Sequence, residues 1–317
     1  MARPAVILLG ADKGGVGKTT VSRTLLDYFA DRKISTRAFD TEWPKGTLKR
    51  FHSEITDVVD VTSVPDQMKI FDTIETSGTQ ITLIDVRAGL MSPTLRALRD
   101  IGFLDMSKWN QVNFAVFHIL GPSIASLDEI AETSKLLVDA RYFLVKNFIN
   151  DTSFFDWDQN TYNSYFNRIP HAVEITVPKL SEMACEQVEL ASVPFASFIA
   201  NKKRNGELAV NSFVLRGYVR HWLNKVWSEY DRVKLCDVIA QADPVAPAAA
   251  AVREIAPAAS FAAPSPAAPA AAASRDAAFA PLSAPAAMPK IFVAKDDAGT
   301  RDAAARLRQE PRVAESS

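Results

Sequence analysis

The chain has 317 residues, 48% of them apolar, with 36 basic and 37 acidic side chains and a formal net charge of −1, so it can bury a large core. Its charge balances both before and after Gln241, which argues against a surface built for sequence-independent attraction to nucleic acid. Two isolated cysteines, Cys185 and Cys236, give neither metal-ligand spacing nor a disulfide framework, no apolar run reaches the ~20 residues of a bilayer crossing, and no signal-peptide pattern precedes the first strand. The expectation is a reduced, cytoplasmic protein without a membrane anchor.

Ala5 to Leu9 has the continuous apolarity of a buried parallel strand, and Thr19 to Arg32 places Val21, Leu25 and Phe29 at helical spacing. Between them lies Gly10-Ala11-Asp12-Lys13-Gly14-Gly15-Val16-Gly17-Lys18-Thr19-Thr20. A glycine-rich loop between strand and helix lets successive backbone N–H groups turn inward around a polyphosphate. The helix adds its positive dipole end, Lys18 can reach the terminal phosphates, and Thr19 offers a hydroxyl to Mg2+. Asp12 reads as a turn or helix-entry residue.

A second strand is predicted over Thr36 to Phe39, ending at Asp40 and followed by Thr41 and Glu42. Val58 to Val61 predicts a short strand, and Pro65 to Glu75 a helix with Met68, Phe71 and Ile74 on its apolar face. Ile81 to Asp85 is an apolar strand that presents an aspartate at its carboxyl end, the place where ligands sit in open parallel sheets. Gly89 follows, where close backbone approach is free of a side chain, and Arg87 is either a phosphate contact or the partner of a surface carboxylate.

Further strands are expected over Val112 to Ile119, Tyr142 to Val145 and Ala172 to Val177, and helices over Ile124 to Val138 and Val210 to Tyr230. Asn147 either reads a nucleotide base or stabilises a turn, and Lys146 beside it either packs along a base or stays structural. The aromatic stretch Phe154 to Phe166 reads as core or as a partner surface, and Lys202-Lys203-Arg204 as a solvated loop. The alternation of elements predicts an α/β fold, a doubly wound, mostly parallel sheet. Half of the 18 prolines lie between Pro244 and Pro289 among alanines, so the expected organisation is a domain over 1–240 and a disordered Ala/Pro-rich tail over 241–317.

Lys13-Gly14-Gly15-Val16-Gly17-Lys18-Thr19-Thr20 resembles the deviant Walker A box of the ParA/MinD ATPases. The resemblance implies the P-loop NTPase class, with ATP on Gly14 to Thr20 and Mg2+ on Thr19 and Asp85. It also implies that Lys13 reaches the phosphates of a second subunit in an ATP-sandwich homodimer. The 22-residue spacing from Lys18 to Asp40 puts Asp40 and Glu42 on the family's Asp-x-Asp, with Glu42 in place of the aspartate that polarises the attacking water. Asp85, Ala88 and Gly89 match its Asp-x-x-Ala/Pro-Gly segment, and Asn147 its base-reading asparagine. The implied function is a dimerising Mg-ATP switch that hydrolyses ATP slowly and cycles an unidentified protein partner. Non-specific DNA is a disfavoured partner on charge grounds. Alternatives are an ATP-binding adaptor with little hydrolysis, suggested by Glu42, and an ATP-dependent small-molecule transferase or ligase.

Overall fold

Seven short apolar or alternating runs become the strands of one sheet. In the computed structural model, which describes residues 3–11, 13–108, 111–121, 130, 132–136, 140–149 and 172–240, they are β1 (Ala5–Gly10), β2 (Thr36–Asp40), β3 (Thr56–Val58), β4 (Ile81–Asp85), β5 (Asn113–Leu120), β6 (Arg141–Asn147) and β7 (Val173–Val177). Their order is β3-β2-β4-β1-β5-β6-β7, and every pairing is parallel. The chain runs from β1 outward to β2 and β3, returns to insert β4 between β2 and β1, and then winds outward through β5, β6 and β7 on the other side, so every strand presents its carboxyl end on one edge of the sheet.

Alternation along each strand divides the core between two faces. Ile7, Leu9, Leu83, Phe117 and Val145 pack beneath α1 (Lys18–Asp31), while Val6, Leu8, Ile84, Val116 and Leu144 face the opposite layer. That second layer is built by α2 (Val64–Phe71), α3 (Met91–Asp100) and α4 (Phe103–Lys108) through Ile70, Met91, Leu95, Leu98 and Phe103. On the first face α1 is joined by α5 (Glu182–Ala191), α6 (Phe195–Ile199), α7 (Phe213–Arg232) and α8 (Leu235–Ala240).

Helix α1 is covered from nearly every side because α7 lies against its outer surface. Thr24 Oγ1 and Tyr230 Oη are 2.7 Å apart, Tyr28 donates to Asp231 at 2.7 Å, and Trp227 Nε1 donates to the Thr24 carbonyl at 3.3 Å. Burial raises the ionisation of both tyrosines above its ordinary range, so both stay neutral. Thr24 and Tyr28 of α1 thus find partners inside the domain, as buried polar groups require.

The sequence expectations differ from the structure in a few places. α2 ends at Phe71, so the apolar face expected through Ile74 is broken; Ile70 and Ile74 are buried, but Met68 is 55% exposed. The third strand covers Thr56–Val58 rather than Val58 to Val61, because its register against β2 is set by Ala38, Phe39 and Asp40. Of the helix expected over Ile124 to Val138, a 3-10 turn at Ser134–Leu136 is described; the remainder lies largely outside the described residues, as do Asp12, the aromatic stretch Phe154 to Phe166 and the tail from 241. All described residues belong to one compact unit, Met1–Val252. Among them no helix is long and apolar enough to cross a membrane.

Leu25, fully buried between the sheet and α7, tests this packing. Truncation of Leu25 to Ala is expected to cost about 2–5 kcal/mol, seen as a lower urea midpoint at unchanged slope.

Candidate functional site

The carboxyl edge near β1 gathers the ends of β1, β4, β2 and β6. β1 stops at Gly10, where a Cβ would come 2.5 Å from Met91 Sδ and 3.3 Å from Val86 Cβ, so the chain turns there under the start of α3 without room for a side chain. The loop then exposes Lys13, Gly14 and Gly15, buries Val16, and enters α1 through Gly17. Gly17 sits in the left-handed region at φ 83°, and a Cβ on it would meet Asn147 Nδ2 at 2.2 Å. Only glycine satisfies both conditions.

Asn147 holds this loop from beneath. Its Nδ2 donates to the Val16 carbonyl at 2.9 Å, and the side chain is buried at the end of β6. The asparagine expected either to read a base or to steady a turn therefore anchors the glycine loop itself. Lys146 forms an ion pair with Glu174 at 2.8 Å, which directs its ammonium to β7. Lys18 Nζ donates to the Lys13 carbonyl at 3.2 Å, curling the loop over the first turn of α1. Lys18, Thr19 and Thr20 occupy that turn, half-buried, and no acidic residue there offsets the positive end of the helix.

Two carboxylates complete the edge. β2 and β4 are in register so that Asp40 and Asp85 are direct neighbours, and Asp85 is also paired with Leu9 of β1. Burial, and then the charge of Asp40, push the Asp85 carboxyl up to about 7; the Thr19 hydroxyl, the Lys18 ammonium and the Ser22 hydroxyl pull the other way. Even so, Asp85 Oδ2 and Ser22 Oγ are buried without a hydrogen bond of normal geometry. A buried carboxylate oxygen left without a partner, beside a hydroxyl at a helix N-terminus, has the donor chemistry that suits a hard divalent cation or its bound water.

Asp40 is used differently. Burial raises its ionisation above the usual carboxylate range, and its two oxygens accept from the backbone of Glu42 at 2.9 Å, Leu48 at 2.6 Å and Lys49 at 3.3 Å. It organises the loop after β2, and the next carboxylate, Glu42, projects from that loop. Glu42 is half-buried and accepts a hydrogen bond from Thr47 Oγ1. Thr41 stitches the two strand ends together: its N–H donates to the Asp85 carbonyl at 3.0 Å, and its hydroxyl accepts from the Arg87 N–H at 2.7 Å. The Arg87 side chain is exposed. Ala88 and Gly89 bring the next loop alongside, since a Cβ on Gly14 would lie 3.9 Å from Ala88 Cβ; Gly89 itself is exposed at φ 79°.

Ser22, Thr41 and Thr47 join the site without having been singled out by sequence. Ser22 carried one legible signal, because it stands three residues after Thr19 and so one helical turn along the same face. Thr41 and Thr47 carried none, since their roles depend on how the loop after β2 folds back.

No family model matches the chain, and no curated protein matches it. Several solved structures are similar to it. The septum site-determining protein MinD complexed with Mg-ADP from Pyrococcus horikoshii is 13% identical, with a TM-score of 0.48 over 73% of this chain and 98% of that one. A ParA family ATPase from Chlorobium tepidum gives 15% identity and a TM-score of 0.45 over 70% and 98% of the two chains. The MinD cell division protein of Aquifex aeolicus gives 14% and 0.44 over 69% and 97%. The similarity is one of fold.

A carboxyl raised by burial costs the folded state stability as pH climbs from its unfolded value to its folded one, because the unfolded chain releases the proton first. For Asp85 that window runs from about 4 to about 7. Asp85→Asn is expected to match the wild type near pH 4 and to become more stable by pH 8, by an amount on the order of 2–4 kcal/mol. Melting temperatures of the two proteins without nucleotide or Mg2+, measured across that range, check it.

Proposed function

We propose that this protein is a Mg-ATP-dependent switch of the ParA/MinD type, which dimerises on ATP, hydrolyses it slowly and cycles a protein partner. The observation that carries the reading is the unpartnered, buried Asp85 oxygen beside Thr19, at the N-terminus of a helix entered through a Gly-x-Gly-Lys-Thr-Thr loop. Gly14, Gly15, Val16, Gly17 and Thr20 would hold phosphate through backbone N–H groups, Lys18 through its ammonium, and Thr19 and Asp85 would hold Mg2+ directly or through water. Mg-ATP, when bound, supplies the phosphoryl group that passes to water. Asn147 keeps the loop open for it by holding the Val16 carbonyl, and Ala88 brings the segment that contains Gly89 beside Gly14.

Glu42 is assigned the orientation of water, and Asp40 holds the loop that carries it. Lys13 is exposed at the rim of the loop, where a lysine serves a second copy of the chain better than its own site. The partner is expected to be a protein. A location in the cytoplasm follows the same reading.

One observation favours the second reading, an adaptor that binds ATP without useful turnover. Glu42 Oε2 already accepts the Thr47 hydroxyl, so one of its two oxygens is occupied before any water is bound. The two readings separate on the mass of the protein in solution, measured by light scattering with no nucleotide, with Mg-ADP and with Mg-ATP, while ADP release is followed. The switch requires a dimer with Mg-ATP alone that decays as ADP accumulates; a lasting ATP dimer without ADP is the adaptor.

Lys18→Ala is expected to weaken Mg-ATP binding at least tenfold in calorimetry. Lys13→Ala is expected to bind Mg-ATP within about threefold of wild type but to remain monomeric, since its ammonium acts on the other subunit. A Lys13→Ala protein that still dimerises on ATP removes the trans role.

A further inference from the structure

The basic run Lys202-Lys203-Arg204 is not used by the nucleotide reading, yet one of its members reaches the loop that carries Glu42. Residues 201–209 form a small antiparallel hairpin, with Lys202 bridged to Leu208, the Lys203 N–H donating to the Glu207 carbonyl at 2.8 Å and the Ala209 N–H to the Asn201 carbonyl at 2.8 Å. Its base is fastened to α6 through the Lys202 N–H and the Ser197 carbonyl at 2.9 Å. From the tip of this hairpin Arg204 Nη2 donates to the Ser192 carbonyl at 3.0 Å and to the Arg50 carbonyl.

Arg50 returns the contact. Its Nε donates to Ser192 Oγ at 2.9 Å, its Nη2 donates to the Glu189 carbonyl, and the same guanidinium lies 3.5 Å from Glu189 Oε2. Next to it Phe51 covers the buried Arg23 guanidinium, 3.5 Å from ring centroid to Cζ, while Arg23 bonds Glu189 at 2.6 Å. The segment after β2 is thus held at two ends. Asp40 takes the N–H groups of Leu48 and Lys49 at one end, and the hairpin with the α5–α6 turn takes Arg50 at the other, where Phe51 lies over Arg23 of α1. Between these ties and β2 stands Thr47, whose hydroxyl fixes Glu42.

We propose that Arg204 is a positioning residue for Glu42, clamping residues 47–50 so that the Glu42 carboxylate stays where it orients water. The proposal rests on the hydrolytic reading above. It follows from the geometry because orientation of a nucleophile is lost with displacements of an ångström or less, and because Arg204 is the contact that ties the Arg50 carbonyl to a separate element. Arg204 is exposed and its bonds run to the Arg50 and Ser192 carbonyls rather than to the glycine loop, so it contributes to turnover and not to nucleotide affinity. Lys203, its neighbour, points to Glu207 of the same hairpin at 3.3 Å and provides a matched control.

The test compares wild type, Arg204→Ala and Lys203→Ala as full-length proteins, by amide hydrogen exchange of residues 42–52 without nucleotide and by steady-state hydrolysis of Mg-ATP. For Arg204→Ala the expected result is at least tenfold faster exchange at Leu48 and Lys49 and a fall in kcat of at least fivefold. Its KM for ATP should stay within twofold of wild type, and Lys203→Ala should match wild type in both measurements. Unchanged exchange in Arg204→Ala overturns the clamp. Faster exchange with unchanged kcat overturns the positioning role, as does an equal loss in Lys203→Ala. A wild type that binds Mg-ATP without hydrolysing it overturns both the hydrolytic reading and the positioning role, whereas one that hydrolyses normally beside an unaffected Arg204→Ala overturns the positioning role alone.

Discussion

Two carboxylates of like charge stand side by side at the ends of β2 and β4, and much of the architecture can be understood as what makes that arrangement tolerable. Parallel pairing in this register leaves Asp40 and Asp85 no means of avoiding each other. Asp40 is satisfied by three backbone N–H groups of the loop that follows it. Asp85 is not, and keeps one buried oxygen without a hydrogen bond. A fold that buries an ionisable group and leaves it incompletely paired stores a preference for a cation at that point. The positive end of α1, with Lys18 and Thr19 on its first turn, faces the same place and favours an anion beside it. A divalent cation carrying a polyphosphate satisfies both demands at once.

The precision of this edge depends on parts of the chain distant from it. Asn147 fixes the glycine loop against β6 through its bond to the Val16 carbonyl, and it comes so close to Gly17 that no side chain fits there. Helix α1 is gripped along its outer side by α7 through Thr24, Tyr28, Trp227 and Tyr230. Asp27 extends the grip by accepting the N–H groups of Phe195 and Ala196 at the start of α6; burial pushes its carboxyl up to about 7, against the pull of those two hydrogen bonds and of Arg23. Helix α1, through Arg23 and Asp27, and the loop carrying Glu42 therefore rest on one support, the α5–α6 turn. Glu189 joins the two, pairing with Arg23 of α1 and with Arg50 of that loop.

Much of the site was legible from residue type and spacing. The glycine loop could be read because a polyphosphate demands backbone N–H groups that only such a turn exposes, and the strand ends at Asp40 and Asp85 because apolar strands of a parallel sheet end abruptly in polar residues. The supporting residues were not legible. Arg23 and Asp27 look like ordinary polar positions on an amphipathic helix, and their burial follows from α7 and α6 packing over that side. Arg204 looked like part of a solvated basic loop, because its acceptors, the Arg50 and Ser192 carbonyls, are backbone groups that any sequence would offer.

The amino-acid sequence by itself determined which residues are candidates for phosphate and metal chemistry and that β-strands and helices alternate, since these depend on local periodicity, backbone freedom at glycine and the identity of a few side chains. Only the tertiary structure decided the strand register that sets Asp40 against Asp85, the tie from Asn147 to the glycine loop, and the clamp from the 201–209 hairpin to the loop after β2. Those are contacts between segments 45 to more than 150 residues apart, and their geometry is set by how the layers pack around β1, which no local pattern specifies.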